Sequence, residues 1–241
     1  MKNKNLLSSS IEDYLKAIYQ LHEENQAVTT TALAEELSIS AASATNMIKK
    51  LAKMKLVIHS PYRGVELTPA GKKIALEIVR HHRLIELFLH EALGLPWDEV
   101  HDEAHKLEHV LSDNLEDHIA DFLGDPTEDP HGDPIPSKAG IVPSESQQAL
   151  AELAPGTPAQ IRRVSDQDPA HLRYLRDLGL VPNATIRLIE SAPFDGPMRV
   201  RLGTQEHILD RQLARQIWVT KSVKTMRRRE TRNKKEKRNT T

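Results

Sequence analysis

Histidine is unevenly spread along this chain of 241 residues: there are 12, and eight fall between His81 and His131. Two runs carry most of the chemistry. One is His81-His82-Arg83-Leu84-Ile85-Glu86, and the other runs from His101 through His105 and Glu108 to His109. On a helix, His82 and Glu86 are i and i+4 and share a face. His101, His105, Glu108 and His109 are i, i+4, i+7 and i+8, a stripe about 100° wide. Val100, Ala104, Leu107, Leu111 and Leu115 occupy the adjoining arc, so the polar stripe borders a buried face. A solvated helix face carries mixed Lys and Glu; this one carries three imidazoles and a carboxylate. The chain has no cysteine, which excludes thiolate sites and disulfides. Imidazole with carboxylate suits Mn²⁺, Fe²⁺, Co²⁺, Ni²⁺ or Zn²⁺. Scattered surface histidines are the bland alternative. A hydrolytic metal site is another, though no H-E-x-x-H or G-x-S-x-G motif supports it.

The elements that must position these groups are mostly helical. Ile11, Tyr14, Leu15, Ile18 and Leu21 mark one face of a first helix. A second follows, with Leu33, Ala34 and Leu37 inward and Thr30 or Thr31 as its cap. Ser38-Ile39-Ser40 is a turn. A third helix spans about 41–54, with Met47, Ile48, Leu51 and Met54 inward, and a small hairpin spans 57–67. Thr68-Pro69 starts a long helix by a capping hydroxyl and a proline in the first turn. It should run to about Leu93, where Gly94-Leu95-Pro96 breaks it. One further helix should run from near Trp97 to Gly124. Residues 125–143, rich in Pro, Gly and Asp, read as a structured loop and linker.

Helix, helix, turn, helix and hairpin is the layout of a winged helix-turn-helix. The second helix of such a pair enters the DNA major groove. Ser40, Ala42, Ser43 and Asn46 would face base edges, Lys49, Lys50 and Lys53 the phosphates, and Tyr62 and Arg63 would sit at the wing tip. A generic three-helix core is the bland alternative.

From Leu150 onward glycines and prolines punctuate short apolar runs: 159–164, 185–189, 198–202, 208–209 and 217–219. With a short helix at 169–178 this reads as a small β-barrel. Residues 221–241 hold ten Lys or Arg and two Glu, a charge of +8, which leaves −9 for residues 1–220. That tail is expected to be a solvated end or a non-specific arm for DNA phosphates. Residues 1–10 carry lysines and no long apolar run, so no signal peptide is expected. With no membrane-spanning run either, the expected location is cytoplasmic.

Four strings together resemble the diphtheria toxin repressor family, which includes the manganese transport regulators. They are 11–19 (IEDYLKAIY), 82–86 (HRLIE), 100–110 (VHDEAHKLEHV) and 130–136 (PHGDPIP). The C-terminal part resembles the FeoA-type, SH3-like barrel, through 175–182 (LRDLGLVP) and 213–219 (LARQIWV). The resemblance covers about residues 8–222. It implies a mainly α chain with a small β-barrel: a winged helix-turn-helix over 1–72 and a helical metal-binding and dimerisation domain over 73–140. A linker at 141–149 then leads to an SH3-like domain over 150–222 and a basic tail over 223–241.

The resemblance also implies a homodimeric repressor, not an enzyme, acting on a palindromic operator of metal-uptake genes, and two metal positions per subunit. One position takes His82, Glu86 and His101, completed by Asp168 and His171. The other takes Asp13, His105, Glu108 and His109. Iron-responsive members tend to carry a thioether where this chain has Asp13 and a thiol where it has His105, so the donors favour Mn²⁺, with Fe²⁺ as the alternative. The barrel-less manganese regulators have carboxylates where this chain has Lys16 and His105, which argues against a closely bridged metal pair between those positions. A metal-dependent hydrolase and a scaffold whose barrel binds a proline-rich partner are the readings from other classes.

Overall fold

The computed structural model describes residues 7–24, 28–60, 64–143, 146–165 and 168–221. The expected wing tip, Tyr62 and Arg63, and the basic tail lie outside the described residues. The chain forms two compact units, one of Met1–Glu145 with Ser165–Tyr174, the other of Ser146–Val164 with Leu175–Thr241.

The first unit opens with three helices: α1 (Ser9–Glu24), α2 (Thr30–Glu36) and α3 (Ala41–Lys53). Thr29, rather than Thr30 or Thr31, caps α2; its side chain accepts from the Ala32 amide while its own backbone stays extended. Ser40 caps α3 by accepting from the Ser43 amide at 3.1 Å. Strands β1 (Val57–Ser60) and β2 (Gly64–Leu67) pair antiparallel as the hairpin, Val57 opposite Leu67 and Ser60 opposite Gly64. Ile11, Leu15, Ile18, Leu33, Ile48, Leu51 and Val65 form the core of this part. Met54, expected inward, is the C-cap of α3 and is 39% exposed.

Helix α4 (Pro69–Leu93) begins where expected, with the Thr68 side chain accepting from the Gly71 amide. At 25 residues it is about 37 Å long. Its first turns join the core of the three-helix part through Ala75, Leu76 and Val79. Its later turns pack Leu84 and Ile85 against the next helices. A side chain on Gly71 would collide with the Leu56 carbonyl, 2.0 Å from an ideal Cβ position, so helix and hairpin are locked at close range.

The single helix expected between Trp97 and Gly124 is two: α5 (Val100–Leu107) and α6 (Asp113–Leu123). Ser112 is the reason, because its side chain accepts from the Leu115 amide and starts a new helix. The hydrophobic period carries across the break and hides it.

The second unit is an antiparallel sheet in the order β3-β8-β4-β5-β6-β7. Its strands are β3 (Gln148–Ala149), β4 (Pro158–Val164), β5 (Thr185–Ser191), β6 (Met198–Leu202), β7 (Gln205–Leu209) and β8 (Ile217–Lys221). Pairing among the described residues ends at β3 on one side and β7 on the other. Helix α7 (Pro169–Asp177) is the expected short helix. Helix α8 (Arg211–Arg215), capped by Asp210, and strand β3 were not anticipated.

Candidate metal centre

Three helices bring the chemistry together. Asp13 lies on α1, His82 and Glu86 on α4, and His101 and His105 on α5, with Glu108 and His109 in the turn that follows. Donor atoms of Asp13, His105, Glu108 and His109 lie within 4.8 Å of one another, and so do those of His82, Glu86 and His101. The first group brings together the four residues of one expected set, and the second brings together three of the five residues of the other, without Asp168 and His171.

In the first group, Asp13 Oδ1 and His109 Nε2 are 2.8 Å apart. Both atoms are buried, and neither makes a hydrogen bond. Glu108 Oε1 lies 3.0 Å from His105 Nδ1 and 3.4 Å from His109 Nε2. The ring of His109 is fixed from behind, where Nδ1 donates to Glu12 Oε2 at 2.7 Å. In the neutral ring this leaves Nε2 with its lone pair turned towards the Asp13 carboxylate. Two acceptors facing each other without a proton between them fit a cation at the point where they converge.

The second group is tighter. Glu86 Oε1 is 3.0 Å from His82 Nε2 and 3.1 Å from His101 Nδ1, and the two ring nitrogens are 3.2 Å apart. Separations near 3 Å suit neighbouring ligands on an ion bound at about 2.0–2.2 Å. Glu86 is fully buried. Burial alone raises its pKa, but His82 and the hydrogen bonds from His101 and His82 outweigh that and hold the carboxyl well below the ordinary range.

Lys16 stands between the groups, its Nζ donating to Glu108 Oε2 at 2.7 Å and lying 3.0 Å from His82 Nδ1. Lys16 is one helical turn from Asp13 on α1 and is buried. Its ammonium lies within hydrogen-bond reach of a residue of each group. Burial raises the Glu108 pKa, but hydrogen bonds from His105 and His82 and the charge of Lys16 reverse this and lower it. Glu108 is therefore an anion.

Asp168 and His171 stand apart from these groups. The Asp168 carboxylate accepts from the Ala170 amide at 2.8 Å at the start of α7, and its other oxygen lies 3.7 Å from His171 Nδ1. Both side chains are about half exposed, and neither joins the donor atoms around His82. Sequence reasoning assigned no role to Glu12. A glutamate beside Asp13 on a polar helix face carries no signal of its own until His109 is seen against it.

Helices α2 and α3 give the expected helix-turn-helix, with Ser38 in the left-handed region at the turn. Ala44, Ile48 and Leu51 face the core. Ser40, Ala42, Ser43, Asn46, Lys49 and Lys50 are all exposed. Ser40 serves the cap as well, its hydroxyl lying 2.9 Å from that of Ser43.

Comparisons with known proteins agree with this arrangement. Residues 6–65 match the iron dependent repressor N-terminal DNA binding domain, residues 68–137 the iron dependent repressor metal binding and dimerisation domain, and residues 148–221 the FeoA domain. The iron-dependent repressor IdeR of Mycobacterium tuberculosis is 32% identical over 229 residues, which cover 90% of this chain and 99% of that protein. The transcriptional regulator MntR of Bacillus pumilus is 38% identical over 97 residues, covering 40% of this chain and 67% of the relative. Among solved structures, a manganese-dependent transcriptional repressor in complex with manganese is 40% identical with a TM-score of 0.84, covering 88% of this chain and 100% of the other. The manganese regulator SloR is 33% identical with a TM-score of 0.75, covering 88% and 98%. No helix among the described residues is long and apolar enough to cross a membrane.

Proposed function

Since this chain belongs to the iron-dependent repressor family of metal-dependent DNA-binding regulators, we propose that it is a homodimeric repressor. It binds palindromic operator DNA of metal-uptake genes when Mn²⁺ occupies the groups around Asp13 and around His82. The observation that carries the reading is the pair of buried, unbonded acceptors, Asp13 Oδ1 and His109 Nε2, 2.8 Å apart. Asp13 belongs to a helix of the DNA-binding part, and His109 follows α5. A divalent cation bound there supplies the positive charge that these facing acceptors lack. In its absence the Asp13 and Glu108 carboxylates repel, and α1 is free to shift against α5. Joined, the two elements hold each recognition helix at one spacing, so a two-fold dimer matches two half-sites of an operator.

Carboxylate with imidazole and no sulfur donor favours Mn²⁺, as does the likeness to a repressor solved with manganese. Fe²⁺ is the second reading, since imidazole accepts both ions and IdeR is an iron-dependent repressor. Asp168 and His171, the latter in the first turn of α7, would complete the His82 group. The antiparallel sheet of the second unit would close as the SH3-like barrel, and the division at residues 72, 140 and 150 would mark the functional domains. Exposed Leu115 and Phe122, one heptad apart on α6, offer an apolar face for the second subunit, with Phe88 against Phe122 at 6.0 Å. None of the named relatives is an enzyme, and we read this chain likewise as a cytoplasmic regulator without catalytic activity. Binding to a pool of genomic fragments with Mn²⁺, with anaerobic Fe²⁺ and with chelator tests the reading. Metal-dependent retention of palindromic fragments supports it, the better ion at matched free concentration names the signal, and binding indifferent to metal overturns it.

A further inference from the structure

His81 and His82 are neighbours on α4, yet only His82 belongs to a metal group. Successive helix positions lie 100° apart. While His82 turns to Glu86 and His101, the buried ring of His81 turns to α6 and to the segment after α5.

That segment carries the site. Glu108 is the C-cap of α5, and residues 108–112 form the turn that leads into α6. One oxygen of Glu108 belongs to the Asp13 group and the other faces His82 Nδ1, and His109 follows in the chain. Glu108 is fully buried, so its backbone carbonyl needs a donor within the protein. His81 Nδ1 lies 3.1 Å from that oxygen. A carbonyl only accepts, so Nδ1 carries the hydrogen and donates. Across the ring, His81 Nε2 lies 3.4 Å from Glu116 Oε2, while the other Glu116 oxygen accepts from Arg80 Nε. Arg80 also donates to the Pro136 carbonyl at 2.9 Å. The ring is thus held between α6 and the turn. Through it, the backbone of Glu108 is tied to α4, the helix that bears His82 and Glu86. Ligand sets work when their members are held to within about 0.5 Å of the productive geometry, and a turn between two helices needs such a tie.

We propose that His81 is a positioning residue for both metal groups: its Nδ1–H grips the Glu108 carbonyl and so sets where the Glu108 carboxylate and the His109 ring stand relative to Asp13 and His82. This rests on the proposed reading of the two groups as cation sites, and the test separates the two.

Two substitutions distinguish the ring nitrogens. The amide nitrogen of His81→Asn can stand where Nδ1 stands and donate to Glu108. His81→Gln, one bond longer, carries its amide towards Glu116 and leaves the carbonyl without its donor. Ile119→Val, in the buried contact of α6 with Leu84 of α4, controls for loosened packing alone. Full-length protein stripped with chelator is titrated with Mn²⁺ against a fluorescent chelator. It is titrated separately with Co²⁺, whose visible absorption reads the geometry of the ligands. Circular dichroism checks folding. The expected result is Mn²⁺ binding about 10-fold or more weaker in His81→Gln, with a changed Co²⁺ spectrum. His81→Asn and Ile119→Val should keep both near wild type. Wild-type affinity and spectrum in His81→Gln would overturn the proposal, and an equal loss in His81→Asn or in Ile119→Val would do the same. A wild type that takes up neither ion would count against the cation reading itself and against this inference with it. Should a His81 variant fail to fold, Glu116→Gln decides, since it keeps an acceptor for Arg80 but gives up the charge facing Nε2. Weaker Mn²⁺ binding with an altered Co²⁺ spectrum is expected there, and no change in either would overturn the proposal.

Discussion

One oxygen of Glu108 faces His105 and His109, while the other, Oε2, lies 2.6 Å from His82 Nδ1. Glu108 is thus a donor in one group and the support of a histidine in the other. When His82 Nδ1 donates to Glu108, its Nε2 is left bare towards Glu86, the tautomer a ligand needs. The two groups are therefore linked through a single carboxylate, with Lys16 bound to the oxygen that faces His82.

That link predicts a shared loss. Glu108→Gln should weaken Mn²⁺ binding by the Asp13 group, and by the His82 group about 10–100-fold through the lost support. Competition against a fluorescent chelator measures both. A variant affected in one group only would show that the link carries no energy.

Lys16 is the buried counter-charge of Glu108. Lys16→Met should lower the stability of the metal-free protein by about 3–5 kcal/mol, because it leaves an uncompensated buried carboxylate. Part of that loss should return on adding Mn²⁺, since the ion supplies charge to Glu108. Chemical denaturation with and without metal reads both effects, and equal stability of variant and wild type without metal would refute the assignment.

Glu12 orients His109 without itself belonging to the group of donors. Glu12→Gln should reduce Mn²⁺ affinity about 10-fold or more, with a much smaller effect on folding. Unchanged affinity in a metal titration would remove Glu12 from the site.

On α3, Asn46→Ala should cost about 1–3 kcal/mol of operator binding and relax preference at one base pair, whereas Lys49→Ala should weaken all sequences alike and flatten the salt dependence by about one unit of slope. Fluorescence anisotropy over a range of salt separates these behaviours. Identical effects of the two substitutions would contradict the division of labour along the helix.

Two acid dependences follow from the charges. Burial raises the Glu116 pKa, but hydrogen bonds from His81 and Arg80 prevail and lower it to about 2 from 4.5. A group depressed on folding stabilises fully above its unfolded value, so this contribution should fade as pH falls from 4.5 towards 2. Glu116→Gln should remove that part of the acid profile. The His105 pKa is raised, chiefly by its hydrogen bond to Glu108. A metal must displace that proton, so Mn²⁺ affinity should begin to fall with decreasing pH while still above 6.5. A flat affinity between pH 8 and 6 would contradict it.

Much of this was legible in the chain, and the exceptions have physical causes. Thr68-Pro69 and the break at Gly94-Leu95-Pro96 bounded α4, and its i, i+4 spacing brought His82 and Glu86 together. The split between α5 and α6 was hidden because apolar residues keep their period across it, and only the Ser112 side chain marks a new start. Glu12 was not legible as the support of His109, because that partner is 97 positions away in sequence and a local pattern does not encode which carboxylate the fold will bring to an imidazole. The strand runs led to a barrel, whereas pairing among the described residues ends at β3 and β7, because strand patterns give runs and turns but not the pairing of the outermost strands.

The central claim is that metal joins the DNA-binding part to the helices behind it through Asp13. Operator binding by full-length wild type and Asp13→Ala, with Mn²⁺ and with chelator, tests it most directly. The account predicts tight binding only for the wild type with Mn²⁺, and for Asp13→Ala the weak binding of the metal-free protein even where the His82 group is filled. Full Mn²⁺-dependent operator binding by Asp13→Ala would contradict it.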